Sequence, residues 1–199
     1  TVTIENDTPY SKAIVHAVHA HDGQYRHYSK QQYVHHVIRV AEHITKHYDH
    51  RDDYQDLRVI ALLHDVLEDT WMTEEDLHNH YDDTIADGVV ALTHDKSLPS
   101  DERHEKYKQQ LIEGPESARI VKLADIHDNT HDVMPDEERY QSYLEDSKAL
   151  LKPLEVDDET YKGQKERMLK IIDRGKHRRL SHKNPLPHEL KRISVSTYH

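Results

Sequence analysis

The sequence predicts an all-α protein. Three observations lead there. Apolar residues recur at helical spacing in one segment after another. No alternating apolar run bounded by turn residues marks a strand. Breaks at Gly23, Pro99, Gly114-Pro115 and Pro135 divide the helical segments from one another. The length of 199 residues suits one domain with a full core, or one domain plus a tail.

The elements follow in order. Segment 9–20 is the first helix, with Pro9 where its missing N–H is harmless. Residues 21–29 form a loop around Gly23. Segment 30–48 carries Tyr33, Val37, Val40, Ala41 and Ile44 on one face, and segment 53–67 carries Leu57, Ile60, Ala61 and His64. Thr73 with Asp76 resembles a capping box, Asp replacing the usual Glu or Gln, and opens a short helix. A further helix covers 83–93, and 95–100 is a loop. Segment 101–113 is so charged that it reads as a solvated helix. After Gly114-Pro115, segment 116–130 turns Ile120, Val121, Leu123 and Ala124 inward. Segments 136–152 and 157–175 complete the bundle. From 174 to 192 there are seven Lys or Arg and one acid, which reads as a cation-favouring helix end and a loose extension.

Composition narrows the function. Lys and Arg number 27 against 38 acids, a net charge of −11, so the long-range field repels nucleic acid and anionic membranes. No run of about 18 apolar residues is present to span a bilayer, and no signal-peptide pattern opens the sequence. Cysteine is absent, so any transition-metal site must use His, Asp and Glu, which suits Mn, Fe or Zn. The 20 histidines are too many to be all functional. His16, His19, His21, His43, His47 and His50 read as a histidine-rich surface and not a second metal site. His78 with His80 and His127 with His131 could hold adventitious metal, a reading given little weight.

The chemistry concentrates in LLHDVLEDT (62–70), where His64-Asp65 and Glu68-Asp69 interrupt an apolar run. Unpaired buried charge is costly, so such a cluster calls for a compensating cation. On one helix, Glu68 would lie one turn after His64, and Asp69 one turn after Asp65, with both pairs facing one cleft. Two further motifs could complete a site. QYVHHVIRVA (32–41) sets His35 and His36 in an apolar helix, and VKLADIHDN (121–129) sets Asp125 and Asn129 one turn apart. Read alone, Asp125 could instead cap a helix or pair with Lys122.

The order His, His-Asp, Asp on separate helices resembles the HD-domain phosphohydrolases, and within them the RelA/SpoT-type alarmone hydrolases. The resemblance runs from about residue 13 to 154. HDGQYRHYSKQQYVHHVIRVA is similar to the family's opening motif, LLHDVLEDT to its HD and ED motif, and RIVKLADIHDNT to the motif with the last metal ligand. LTHDKSLPSDER resembles a substrate-side loop of the single-domain, metazoan SpoT-homologue branch.

The resemblance implies an HD-domain helical bundle with a metal site between helices. Residues 1–154 are then the phosphohydrolase domain, and 155–199 a C-terminal helix and basic extension of it. The family register, from Tyr33 and Ala41, points to His36 and not His35. The implied ligands are His36, His64, Asp65 and Asp125, and the implied metal is Mn2+. Glu68 and Asp69 become the catalytic acids. Arg26, Lys96, Asn129, Arg139 and Tyr143 become substrate contacts. The implied reaction is hydrolysis of the 3′-diphosphate of ppGpp or pppGpp, giving GDP or GTP and pyrophosphate. The alternative is another HD phosphohydrolase, acting on the NADPH 2′-phosphate or a nucleoside 5′-monophosphate. The expected partner is a small nucleotide in the cytoplasm, without nucleic acid or membrane; a homo-oligomer is compatible with this. The sequence departs from the pattern at His27, Val37, the run Ile126, His127 and Asp128, and Asp132, where the family often has Thr.

Overall fold

A computed structural model describes residues 8–132 and 136–180, with side chains to residue 175. Its helices are α1 (Pro9–Ala20), α2 (Val34–His47), α3 (Tyr54–Leu63), α4 (Val66–Asp69) and α5 (Glu74–His80). The chain continues through α6 (Asp83–Val90), α7 (Ser100–Glu113), α8 (Glu116–His131), α9 (Glu137–Leu151) and α10 (Glu159–Leu180). Among the described residues there is no strand, only an isolated antiparallel bridge from Tyr25 to Gln32. The all-α expectation holds. Pro135 and the basic stretch beyond residue 180 lie outside the described residues.

Local chemistry accounts for the helix starts. The Thr8 hydroxyl accepts from Ser11 N at 3.2 Å, and Pro9 follows it at the first helical position. The Thr73 capping box forms in both directions. Thr73 Oγ1 accepts from Asp76 N at 3.2 Å, and Asp76 Oδ2 accepts from Thr73 N at 2.9 Å. Asp82 and Asp136 cap α6 and α9 through Ile85 N and Arg139 N. Gly23 has φ +73°, which lets the chain reverse after α1 without a Cβ clash.

Helix α3 is the hub. Leu57, Val59, Ile60, Ala61, Leu62 and Leu63 are all buried, because α1, α2, α6 and α8 pack around it. Each of the Leu, Val and Ile side chains contributes about 1.5–3 kcal/mol on burial. Helix α2 turns His36, Val37, Val40, Ala41 and Ile44 inward. Helix α8 lies across α2 and α3, and α9 and α10 pack together beside α8. Tyr48 and Tyr161 are large core side chains in a protein without Phe. The Tyr48 hydroxyl donates to Gln164 Oε1 at 2.8 Å, so the phenol is satisfied when buried. Helix α7 buries only Tyr107 and Leu111, as its charge predicted.

Boundaries differ from the sequence reading at four places, one being α10, which runs Glu159–Leu180 where 157–175 was expected. Helix α2 starts at Val34 because residues 24–33 fold back as a loop tied by Tyr33 N to Gln24 O at 2.9 Å. Helix α6 ends at Val90, before a turn. The predicted helix 53–67 is broken at His64-Asp65, which separate α3 from α4.

Candidate active site

The break at His64-Asp65 builds the site. His64 Nδ1 donates to Ala61 O at 2.8 Å, the carbonyl that an uninterrupted helix would offer to Asp65 N. Asp65 sits at φ −105°, ψ −1°, and the chain then makes one more turn, with Asp69 N bonding Asp65 O at 3.0 Å. The expected single helix with ligand and acid pairs on one face is therefore corrected. His64 and Asp65 both turn to the same point, and Glu68 and Asp69 leave it in different directions.

His36 from α2 and Asp125 from α8 reach that point. Both are buried, as is His64, while His35 faces solvent. His36 Nε2 lies 3.2 Å from Asp125 Oδ1 and 3.6 Å from Asp65 Oδ2. His64 Nε2 lies 2.9 Å from Asp65 Oδ2 and 3.7 Å from Asp125 Oδ1. Ligand atoms of His36, His64 and Asp65 all fall within 4.8 Å of one another.

The tautomers are legible. His36 Nδ1 donates to Asp128 Oδ2 at 2.7 Å, and His64 Nδ1 to Ala61 O, so each ring turns its Nε2 lone pair inward. His64 Nε2 is buried and has no partner in hydrogen-bond geometry. Two lone pairs and two carboxylates thus face one another, an arrangement that needs a cation at its centre. Without a metal, protons on the two imidazoles take that place. Burial opposes charging of His36, yet Asp125, Asp128 and Asp65 outweigh it and push its pKa up to about 9. Burial likewise opposes charging of His64, and Asp65 and Asp125 raise it to about 10. Burial would raise Asp65 and Asp125, but the imidazoles, and Lys122 beside Asp125, hold both well below the usual carboxylate range. The donor set, two imidazoles and two carboxylates with outer partners, fits a divalent metal.

The acid pair has its own supports. Both His94 Nδ1, at 2.8 Å, and His94 N, at 3.2 Å, donate to Glu68 Oε2. Burial raises the Glu68 pKa, but those bonds and Lys96 outweigh it and lower the pKa. Lys96 Nζ donates to Asp69 Oδ1 at 3.0 Å and to Glu68 O at 2.6 Å. The Tyr33 hydroxyl donates to Asp65 Oδ2 at 2.7 Å and reaches Asp69 Oδ2 at 3.5 Å, and its ring stacks on buried His21. His21 is 2% exposed, so the expectation that it belongs to a histidine surface is corrected. His43 is half-buried, which corrects the same expectation there.

The expected substrate contacts divide. A cavity of about 550 Å3 opens beside Asp125, lined by His94, Lys108, Lys122, Asn129 and Tyr143 among others. Asn129 Nδ2 donates to Asp125 Oδ1 at 2.6 Å, and its Oδ1 accepts from Arg26 Nη2 at 2.6 Å. Arg26 is also paired with Asp132, Nη2 to Oδ2 at 2.9 Å. Tyr143 donates to Ile126 O at 3.4 Å. Arg26, Lys96 and Arg139 do not line this cavity. Arg139 is 70% exposed and touches Tyr28 and Asp136.

Three contributors escaped sequence reasoning, and a fourth, Lys122, was read only as an alternative partner of Asp125. Asp128 binds His36 and also holds Arg39, at 2.7 and 2.9 Å. It follows Asp125 by three residues, so a shared helix face was the available signal. Tyr33 and Lys122 had similar signals, standing three residues before His36 and before Asp125. His94 had no local signal, being 26 residues from Glu68.

A buried imidazole and carboxylate cluster between the helices of an all-α bundle, with an acid pair beside it, is the architecture of an HD-type metal-dependent phosphohydrolase. No family model matches the chain. Among curated proteins, the guanosine-3′,5′-bis(diphosphate) 3′-pyrophosphohydrolase MESH1 of Danio rerio is 35% identical over 130 residues, 61% of this chain and 70% of that protein. The Homo sapiens protein of that name is 34% identical over 131 residues, 62% of this chain and 71% of its own length. Among solved structures, a metazoan ortholog of SpoT superposes with a TM-score of 0.73 at 24% identity, covering 85% of this chain and 98% of that one, which shows the shared fold. The chain belongs to the MESH1 family of guanosine-3′,5′-bis(diphosphate) 3′-pyrophosphohydrolases.

Proposed function

We propose that this enzyme hydrolyses the 3′-diphosphate of ppGpp and pppGpp with Mn2+ held by His36, His64, Asp65 and Asp125. The reaction itself follows the family, whose MESH1 members carry that activity in their names. The observation that carries the ligand assignment is the convergence of two inward Nε2 lone pairs on two buried carboxylates. The ion supplies Lewis-acid activation of water and neutralises phosphate charge. A set that mixes imidazole with carboxylate and lacks thiolate suits Mn, Fe or Zn, and the family resemblance selects Mn2+ among them. Residues 1–154 form the hydrolase unit and 155–199 its C-terminal extension, in the cytoplasm.

Glu68 is the proton acceptor for the attacking water. Both His94 bonds end on Oε2, which keeps the carboxylate ionised and leaves Oε1, with Lys96 Nζ 3.7 Å away, as the oxygen to accept the proton. Asp69, held by Lys96 and Tyr33, orients the same region. Asn129 and Tyr143 border the nucleotide cavity. Arg26, Lys96 and Arg139 serve as the cations for the substrate's phosphates, and Arg26 and Lys96 must first exchange acidic partners for them.

The test is phosphorus NMR on protein stripped and reloaded with Mn2+, given ppGpp, NADPH or mononucleotides. GDP plus pyrophosphate from ppGpp is expected. Orthophosphate from NADPH or a mononucleotide, with ppGpp intact, would replace this function by the other HD chemistry. Replacing Glu68 by Ala should lower kcat by about 10²–10⁴ with metal still bound, and retained turnover would overturn the Glu68 role.

A further inference from the structure

A second group of histidines lies away from the catalytic cluster. His43 and His47 stand one turn apart on α2, and His127 and His131 one turn apart on α8. The two pairs meet across the helix interface. Ring centroids are 4.7 Å apart for His43 and His47, 4.8 Å for His43 and His127, and 4.6 Å for His127 and His131. Beneath them a cavity of about 230 Å3 opens between α2, α8 and α10, lined by His43, His47, His127, Gln164 and Arg167 among others.

We propose that His43, His47, His127 and His131 form a second metal site, for a divalent transition ion that favours imidazole, such as Zn2+, Ni2+ or Cu2+. The spacing is that of two helical chelating pairs set face to face, each offering ligands from one side of its helix. Two of the rings already have fixed tautomers. His43 Nε2 donates to Gln164 Oε1 at 3.2 Å, and His131 Nδ1 donates to His127 O at 2.7 Å. Each of these rings therefore keeps its other nitrogen as a lone pair, as a metal-binding histidine with an outer partner does. Gln164 is itself anchored by the Tyr48 hydroxyl. Burial holds the His43 pKa down, to about 4, so that ring is in its neutral, ligating form at neutral pH.

The rings run in a chain from His47 to His131 and converge on no single point as they stand, so holding one ion requires the end rings, His47 and His131, to turn toward the middle pair. Lys46 and Arg167 lie close enough to disfavour charge on His47, and they limit affinity for a cation as well. The site differs from the catalytic one in donor chemistry. It is all imidazole and prefers ions late in the divalent series, whereas the carboxylate-rich cluster suits Mn2+. It also ties α2 to α8, the helices that carry His36 and Asp125.

The test is isothermal titration calorimetry with Ni2+ on the full chain. Wild type is compared with the double variants His43→Gln/His127→Gln and His47→Gln/His131→Gln, and with His78→Gln/His80→Gln as a control for surface histidines. Far-ultraviolet circular dichroism checks each fold, and the second variant alters only half-buried and exposed positions. Both cluster variants should bind one equivalent less than wild type, or bind it at least tenfold more weakly. The control should match wild type. Equal stoichiometry and affinity in wild type and either folded cluster variant would overturn the proposal, as would a loss confined to the control.

Discussion

Asp128 offers the sharpest test of how the catalytic metal site is held. Its Oδ2 accepts the His36 Nδ1 proton at 2.7 Å and an Arg39 bond at 2.9 Å, and its Oδ1 accepts Arg39 Nε at 2.7 Å. Asp128→Ala removes all three while leaving every proposed ligand in place. Arg39 is 38% exposed at its side chain and can turn to water, so its loss costs little. His36 is 1% exposed and has no water to turn to. Its Nδ1–H is left unpaired, at a cost of about 1–3 kcal/mol, and the ring loses the bond that fixes its tautomer. Loss of an outer partner of this kind weakens metal binding by roughly 10–100-fold, or about 1.4–2.7 kcal/mol. Calorimetric Mn2+ titration measures that change directly. With saturating metal, kcat on ppGpp should return to within about threefold of wild type, because Asp128 acts through His36 and touches no substrate. Unchanged Mn2+ affinity in a folded Asp128→Ala protein would refute the reasoning. So would a large kcat loss that excess metal fails to restore.

Metal-free protein should lose stability as pH rises. The His36 and His64 pKa values lie above 6.5, at about 9 and about 10, so their stabilising charge is complete below pH 6.5 and is lost as pH climbs through those values. The slope is at most about 1.4 kcal/mol per pH unit for each ring, and a thermal-melt series from pH 6 to 10 with chelator checks it; a metal-free Tm that rises over this range would refute it. Asp132→Thr removes the carboxylate that occupies Arg26, 2.9 Å away, and should lower KM for ppGpp several-fold at constant kcat, whereas an unchanged or higher KM would show that Arg26 does not bind phosphate. Gly88→Val should destabilise by about 1–3 kcal/mol in a urea titration, because even its Cβ would meet Ile60 Cδ1 in the core at 2.5 Å.

What the sequence made legible was local. The Pro9 start of α1, the Thr73 and Asp76 box and the Gly114-Pro115 break each depend on residues within a turn of one another, and each formed as read. The family register chose His36 over His35, and in the structure only His36 is inside. The break between α3 and α4 was not legible. Apolar spacing through Leu62 and Leu63 continues smoothly into Val66, and what interrupts the helix is the His64 side chain turning back to Ala61 O while Asp65 turns to His64 beside it and to His36 from α2. Contacts at long range were equally hidden. His94 reaches Glu68 across 26 residues, and Arg26 reaches Asp132 across 106.

Those long-range pairs share a logic that explains the acidic balance around a site for an anionic nucleotide. Three cations near the site are stored against carboxylates: the proposed phosphate contacts Arg26 on Asp132 and Lys96 on Asp69, and Lys122 on Asp125. Leaving Arg26 or Lys122 unpaired, both largely buried, would cost several kcal/mol, so pairing is the state that folds, whereas exposed Lys96 gives up its partner at little cost. Lys122 cannot be released without exposing Asp125, a buried metal-ligand candidate, so it belongs to the metal cluster. Arg26 and Lys96 pair with carboxylates outside the proposed ligand set and can exchange them for phosphate oxygens. If Arg26 binds phosphate as proposed, breaking its pair with Asp132 is a cost that a tetraphosphate-bearing guanosine offsets more fully than a less charged nucleotide.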